Sequence, residues 1–348
     1  MIRHRKPFAQ RHGGAFTLIE LLIVMVLLGA LLGMISAAAV VVRSRARVAA
    51  TAAEIAKLDQ ALRSYRERFG EFPPDCVFVN GDGDMPELEG WGETQDRRAM
   101  ANHVSRMFPH LRLADSERDP VQTNPRAWAD LRARVQKSLG LDISRLYPPT
   151  ALVFWLGGVP EVDRATRRPT GRLLGFSTNP SNPFDSTTTK RIGPFFDFDP
   201  ARLQVTDTGW MHYLPSCTSQ SGRAPYVYFR APYHYALGTR VVPRRWRLRF
   251  NHGFTTEDLG VPSAAPVSRV RPYYHGSVDG KSQAWFNPQS FQLICAGADD
   301  KYGGIAEDVG GTSGMVAAPH FPLRDNTVGG HEDNQTNFCR GVLEDLVK

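Results

Sequence analysis

The chain lacks the signatures of the common catalytic machineries. It contains no HExxH, no GxSxG, no GxxxxGK[ST], and no GxGxxG ahead of a helix. These absences argue against zinc hydrolysis on a helix, acyl transfer from a serine elbow, P-loop nucleotide hydrolysis and dinucleotide binding. Paired aspartates do occur, at Asp197/Asp199 and Asp299/Asp300, but no nucleophile or substrate site is set beside them. No catalytic residues are expected, and the chain reads as a non-enzyme. Cysteine is scarce. Cys76, Cys217, Cys295 and Cys339 form no CxxC and no close Cys/His pair, which argues against a structural zinc site. Outside the cytoplasm the four can make two disulfides in three pairings, and buried thiols fit equally well.

Acid is missing from residues 1–15, which carry Arg3, Arg5, Lys6 and Arg11. Removing those four cations takes the formal net charge from +7 to +3, so the overall charge overstates any basic surface. Hydrophobic residues make up 42% of the 348, enough to fill a core. With 31 Gly and 25 Pro the chain is loop-rich, which argues against an all-helical bundle.

Residues 16–42 read FTLIELLIVMVLLGALLGMISAAAVVV, a run of 27 with one ionisable group, Glu20. About 20 apolar residues cross a bilayer, and the run is too long for an ordinary signal-peptide core. The basic flank is expected to stay cytoplasmic, so residues beyond 42 face outward. Glu20 is the odd residue, because a carboxylate in hydrocarbon marks function or a partner. Cleavage before Phe16 would create an α-amine beside an apolar helix. Glu20 of one subunit could then neutralise the amine of a neighbour and set their stagger.

The segment RHGGAFTLIELLIVMVLLGALLG resembles the leader and helix start of type IV pilins and type II secretion pseudopilins. The resemblance implies that a prepilin peptidase cuts between Ala15 and Phe16 and N-methylates Phe16, with Glu20 as the assembly residue. Family members usually carry Gly before the cut; here Ala15 stands there, with Gly14 one step earlier.

The helix is expected to continue. In 43–69, Val48, Ala52, Ile55, Leu58, Leu62, Tyr65 and Phe69 recur every three or four residues as one apolar stripe. No Pro or Gly intervenes between Gly33 and Gly70. Gly70 is placed to cap the helix, and Pro73-Pro74 prevents its resumption. A helix over 16–69 would be about 80 Å long at 1.5 Å per residue. Its ending, with Tyr65, Phe69 and GEFPPD, is similar to the family's.

Beyond residue 74 the pattern is irregular. Helices are expected at 97–113 and 126–139. ALVFWLGG at 151–158 fits a buried strand or a short helix, and 164–191 reads as loop. FFDFD (195–199), YVYFRA (226–231), WRLRF (246–250) and FQLICAG (291–297) are strand candidates. Asn80, Asp82 and Asp84 alternate like a calcium loop, but Met85 stands where that loop needs Gly, so a turn is favoured. Arg164, Arg167, Arg168 and Arg172, and Arg244, Arg245, Arg247 and Arg249 around Trp246, form two basic clusters. The modest charge without the leader, and the lack of a nucleic-acid motif, favour a solvated or subunit-contacting face over nucleic acid.

SFQLICAGADDKYGG (290–304) and GGHEDNQTNF (329–338) are similar to the end of major pseudopilins. That resemblance implies a calcium loop with Asp299, Asp300 and Asp333 as candidate ligands, since Ca²⁺ takes six to eight oxygens. Two departures stand out: Lys301 where the family commonly has Gly, and the long 305–328 separation.

The resulting expectation is an α+β chain: a long N-terminal transmembrane helix packed against a small antiparallel sheet, pilin-like, with large irregular insertions. Its parts are a cleaved leader (1–15), a membrane half of the helix (16–42), an outward amphipathic half (43–70) and a globular head (71–348). The resemblance implies prepilin peptidase, other pseudopilin or pilin subunits, an inner-membrane platform with its ATPase, and secreted cargo as partners. Its place is the inner membrane, crossed once, with the head periplasmic. A membrane-anchored ligand-binding module and a DNA-uptake pilin remain alternatives.

Overall fold

The glycine- and proline-free, alanine-rich stretch after Gly33 favours one uninterrupted helix. A computed structural model describes residues 17–75, 92–113, 125–163, 169–216, 224–230, 273–276, 283–287, 289–297, 302, 320–321, 334–339 and 342–343. In it α1 runs Leu18–Phe69, 52 residues. Gly70 ends it at φ 83°, donating its N–H to Arg66 O at 2.7 Å. A residue with Cβ would be strained there. The chain divides into two compact units, Met1–Arg47 and Val48–Lys348.

In the first unit the apolar side chains of α1 are exposed, Leu18 at 82% and Met34 at 72%. Among the described residues no helix is long and apolar enough to cross a membrane. The expected span over 16–42 therefore rests on the amino-acid sequence, which stays apolar through Val42.

Among the described residues of the second unit three further α-helices follow: α2 (Gly92–Met107), α3 (Pro125–Leu139) and α4 (Pro148–Gly157). The expected 97–113 helix starts earlier and stops sooner, with Phe108 and Leu111 buried just beyond its end. ALVFWLGG is helix, not strand. Pro148 and Pro149 occupy the first turn, where missing N–H groups cost nothing. Thr150 Oγ1 accepts the Tyr147 N–H at 3.0 Å. Every residue of α4 is buried, so no polar face betrays its period. Gly158 follows at φ 81°, and a Cβ there would lie 2.3 Å from the Gly175 backbone.

The strands are short: β1 (Pro160–Val162), β2 (Pro169–Leu173), β3 (Phe176–Ser177), β4 (Arg191–Ile192), β5 (Leu203–Val205), β6 (Met211–Tyr213), β7 (Val227–Arg230), β8 (Tyr274–Gly276), β9 (Gln283–Trp285), β10 (Phe291–Cys295), β11 (His320–Phe321) and β12 (Gln335–Thr336). Among the described residues they make five small sheets instead of one. β12-β10-β7 is antiparallel, with Ile294 opposite Thr336 and Leu293 opposite Tyr228. β11-β8-β9 includes a parallel pair, β8 with β11. β1-β2, β3-β4 and β5-β6 are antiparallel pairs.

Two readings are corrected. The 164–191 segment is not wholly loop, since it contains β2, β3 and the first residue of β4. FFDFD is not a strand. Pro194 and Pro200 bracket it, and neither has an N–H to give a ladder. Phe196 and Phe198 pack edge-on to Tyr213, while Asp199 Oδ1 accepts the Ala201 N–H at 3.0 Å to cap a single 3-10 turn, Pro200–Arg202. WRLRF lies outside the described residues.

One core cluster unites Leu58, Leu62 and Tyr65 of α1 with Val104, Leu131, Phe154 and Leu293. The part of α1 within the second unit thus packs against the core of the head.

Candidate functional site

The N-terminal motif is built on a capping box. Thr17 precedes α1 and Glu20 sits three residues on, the spacing that lets each satisfy the other's backbone. Thr17 N donates to Glu20 Oε2 at 3.0 Å, Thr17 Oγ1 donates to the same oxygen at 2.8 Å, and Glu20 N donates to Thr17 Oγ1 at 3.3 Å. Both residues are exposed. The sequence reading of Glu20 missed this local role, although Thr-x-x-Glu before an apolar run signals it. Ala15 and Phe16 lie outside the described residues.

Within the head, two polar clusters hold the lower part of α1. The first centres on Glu54. Arg202 donates Nη1 to Glu54 Oε2 at 2.8 Å and Nη2 to Oε1. Tyr226 donates its hydroxyl to Oε2 at 2.7 Å and Tyr213 to Oε1 at 3.0 Å. The Arg202 guanidinium also lies over the Tyr213 ring, 4.5 Å from its centroid. Burial alone would raise the Glu54 pKa, but the hydrogen bonds and charge of Arg202, with the two tyrosine hydroxyls, outweigh it and hold the pKa below its ordinary value.

The second cluster closes the end of α1. His103, fully buried on α2, places Nδ1 2.7 Å from Glu71 Oε1 and Nε2 2.7 Å from the Tyr65 hydroxyl. A carboxylate only accepts, so Nδ1 carries a proton towards Glu71, and Nε2 shares a hydrogen bond with the Tyr65 hydroxyl, which also donates to Met107 Sδ at 2.9 Å. Arg230 Nη2 and Arg106 Nη1 donate to Glu71 Oε2 at 3.0 and 3.2 Å. Burial lowers the His103 pKa from its ordinary value, against the raising effect of Glu71. Burial would raise Glu71, yet His103, Arg230 and Arg106 keep its pKa lowered. Further ties come from Tyr228, whose hydroxyl donates to Pro73 O at 2.8 Å, and from Asn337, whose Nδ2 donates to Asp59 Oδ1 at 3.2 Å.

Neither cluster was visible in the sequence. Glu54 flanks the apolar stripe, but Arg202, Tyr213 and Tyr226 lie 148, 159 and 172 residues away. Both clusters are saturated with internal hydrogen bonds, so their chemistry is that of clamps.

The candidate calcium ligands Asp299, Asp300 and Asp333 lie outside the described residues, as do Cys76, Cys217, the 80–84 turn, Arg164, Arg167, Arg168 and the arginines at 244–249. The chain flanking the aspartates is anchored. Asn334 Nδ2 donates to the Tyr273 hydroxyl at 2.8 Å and to Tyr302 O at 3.2 Å. Among the described residues no three His, Cys, Asp or Glu converge on a metal position. Arg172 is exposed, 3.9 Å from Glu161.

Residues 11–36 match the family model of the prokaryotic N-terminal methylation motif. The match takes in Ala15, Phe16, Thr17 and Glu20 and supports a type IV pilin-like prepilin leader. Such a motif implies processing by prepilin peptidase and assembly with other pilin subunits. No curated protein and no solved structure matches the chain.

Proposed function

We propose that this chain is a membrane-anchored structural subunit of a pseudopilus or related filament that serves type II-like protein secretion. The observation that carries the reading is the methylation motif over 11–36, which falls on a helix whose apolar side chains stand exposed in the single chain. Prepilin peptidase removes residues 1–15, methylates the new Phe16 amine, and leaves 16–42 crossing the inner membrane with the head outside. Extraction by an ATPase-driven platform brings neighbouring apolar helices together. Glu20 then offers its carboxylate to the amine of an adjacent subunit. The irregular head, far larger than the helix it carries, meets cargo or other heads and suits a specialised subunit. It performs no catalysis.

The test is the intact mass and N-terminal sequence of membrane-extracted protein, with and without co-expressed prepilin peptidase. A mature chain starting at methylated Phe16 is expected; a chain still starting at Met1 beside active peptidase overturns the reading. Glu20→Leu is expected to be processed and retained in membranes, yet to lose at least ten-fold in cross-linked subunit ladders, on the order of 1.4 kcal/mol of association or more.

A further inference from the structure

The last five residues of the first unit, RSRAR at 43–47, play no part in the clamps or the motif described above. Arg43 and Arg45 are exposed and Arg47 is half-buried. Among the described residues none of the three makes a salt bridge. Nor does their own helix supply a counter-charge. No Asp or Glu occurs between Glu20 and Glu54, and Glu54 is already saturated by Arg202, Tyr213 and Tyr226. At about 100° per residue, Arg43 and Arg47 lie close together, and Arg45 lies roughly 160° round the axis from Arg47. The three guanidinium groups therefore ring the helix within about 6 Å of rise.

Their height is informative. From Leu18 to Arg43 the helix rises about 38 Å, and to Arg47 about 44 Å. A bilayer is about 30 Å thick in hydrocarbon and 40–45 Å with its headgroups. With Leu18 at the inner hydrocarbon boundary, Arg43 stands at the outer edge of the opposite headgroup layer and Arg47 about one helical turn beyond it, from where the long side chains bend back to the phosphates.

We infer that Arg43, Arg45 and Arg47 form a cationic collar that binds anionic phospholipid headgroups on the outward face of the membrane. The inference rests on the proposed transmembrane reading and adds a partner to it. Guanidinium forks suit phosphate oxygens. The collar fixes the depth of the helix before extraction and opposes its withdrawal, so leaving the membrane requires breaking these ion pairs.

The experiment uses the full chain as a monomer in mixed micelles, with phosphatidylglycerol and phosphatidylcholine as probes and native mass spectrometry as readout. Leader cations are present in every protein compared, so differences report the collar. Wild type is expected to retain phosphatidylglycerol preferentially, less so at high salt. The triple variant Arg43→Gln/Arg45→Gln/Arg47→Gln is expected to lose up to about five-fold in selectivity per arginine. Arg43→Lys/Arg45→Lys/Arg47→Lys is expected to keep most of it. Equal selectivity in wild type and the Gln variant overturns the collar, leaving neighbouring acidic side chains as its counter-charge. Loss in the Lys variant as deep as in the Gln variant also overturns it. Retention in membranes through alkaline carbonate washing is measured alongside. Release of wild type there overturns the transmembrane reading itself, whereas retention with no lipid preference sinks only the collar.

Discussion

Ile55, Leu58, Leu62 and Tyr65 expose no more than 3% of their surface, while Leu18, Met25, Leu32 and Met34 on the same helix expose 62–82%. The more apolar half of α1 is thus the half without an internal partner. A single stripe with charged flanks calls for a core on one side. A helix apolar all round calls for an apolar surrounding. The second half is held further by Glu54 and by the Glu71–His103–Tyr65 cluster, whereas the side-chain hydrogen bonds described in the first half are local ones, the Thr17–Glu20 box and Ser36 Oγ to Leu32 O. One half is made to stay with the head, the other to meet something outside the chain.

The sharpest way to break this contrast is Glu54→Ala. It removes the acceptor shared by Arg202 and two tyrosine hydroxyls. Arg202 is part-buried and keeps Asp199 Oδ2 at 3.4 Å and Leu214 O at 3.2 Å, so the loss falls at the low end of the range, about 3–5 kcal/mol, that breaking a buried pair costs. Denaturant unfolding of the detergent-solubilised chain, followed by tryptophan fluorescence, is expected to show that loss in the head. The same clamp predicts acid sensitivity. Because the folded Glu54 pKa is depressed, its contribution is full above the ordinary value of 4.5 and is lost as pH falls through the folded one. Glu71 is depressed likewise, and His103, lowered from 6.5, also favours the fold only while neutral. All three shifts make the head weaker in acid, and Glu54→Ala is expected to flatten the lower part of that pH profile.

Leu58→Ala comes next. The side chain is fully buried, and such truncations cost about 2–5 kcal/mol. Tyr65→Phe keeps the ring and removes the hydroxyl shared with His103 Nε2 and Met107 Sδ, leaving Nε2 without that bond; about 1–2 kcal/mol of head stability is expected to go. The smallest effect sharpens the contrast most. Leu27→Ala, on the exposed half, is expected to change head unfolding by less than about 0.5 kcal/mol. A loss there equal to that of Leu58→Ala would show that both halves are packed by the head.

Much of α1 was legible because its signals are local. Gly70 and Pro73-Pro74 stop the helix where expected, and the core of the stripe is buried, though Val48, Ala52 and Phe69 at its margins are only half-buried. The motif at 11–36 is likewise a matter of adjacent residues. The head was less legible for identifiable reasons. α4 is buried on every face, so its sequence carries no period to separate helix from strand. FFDFD alternates as a strand should, but flanking prolines and the packing of Phe196 and Phe198 on Tyr213 decide otherwise. The expected single sheet is divided among five, because strands of two to five residues offer too few ladder bonds to extend one another.

The sequence alone determined the helix, its cap, its two chemical halves and the methylation motif, since each depends on residues within a few turns of one another. Only the tertiary structure decided that Glu54 is a clamp, that His103 is buried between Tyr65 and Glu71, and that 151–157 is helical. Those outcomes depend on partners brought together across 32 to 172 residues, and on burial that no local pattern records.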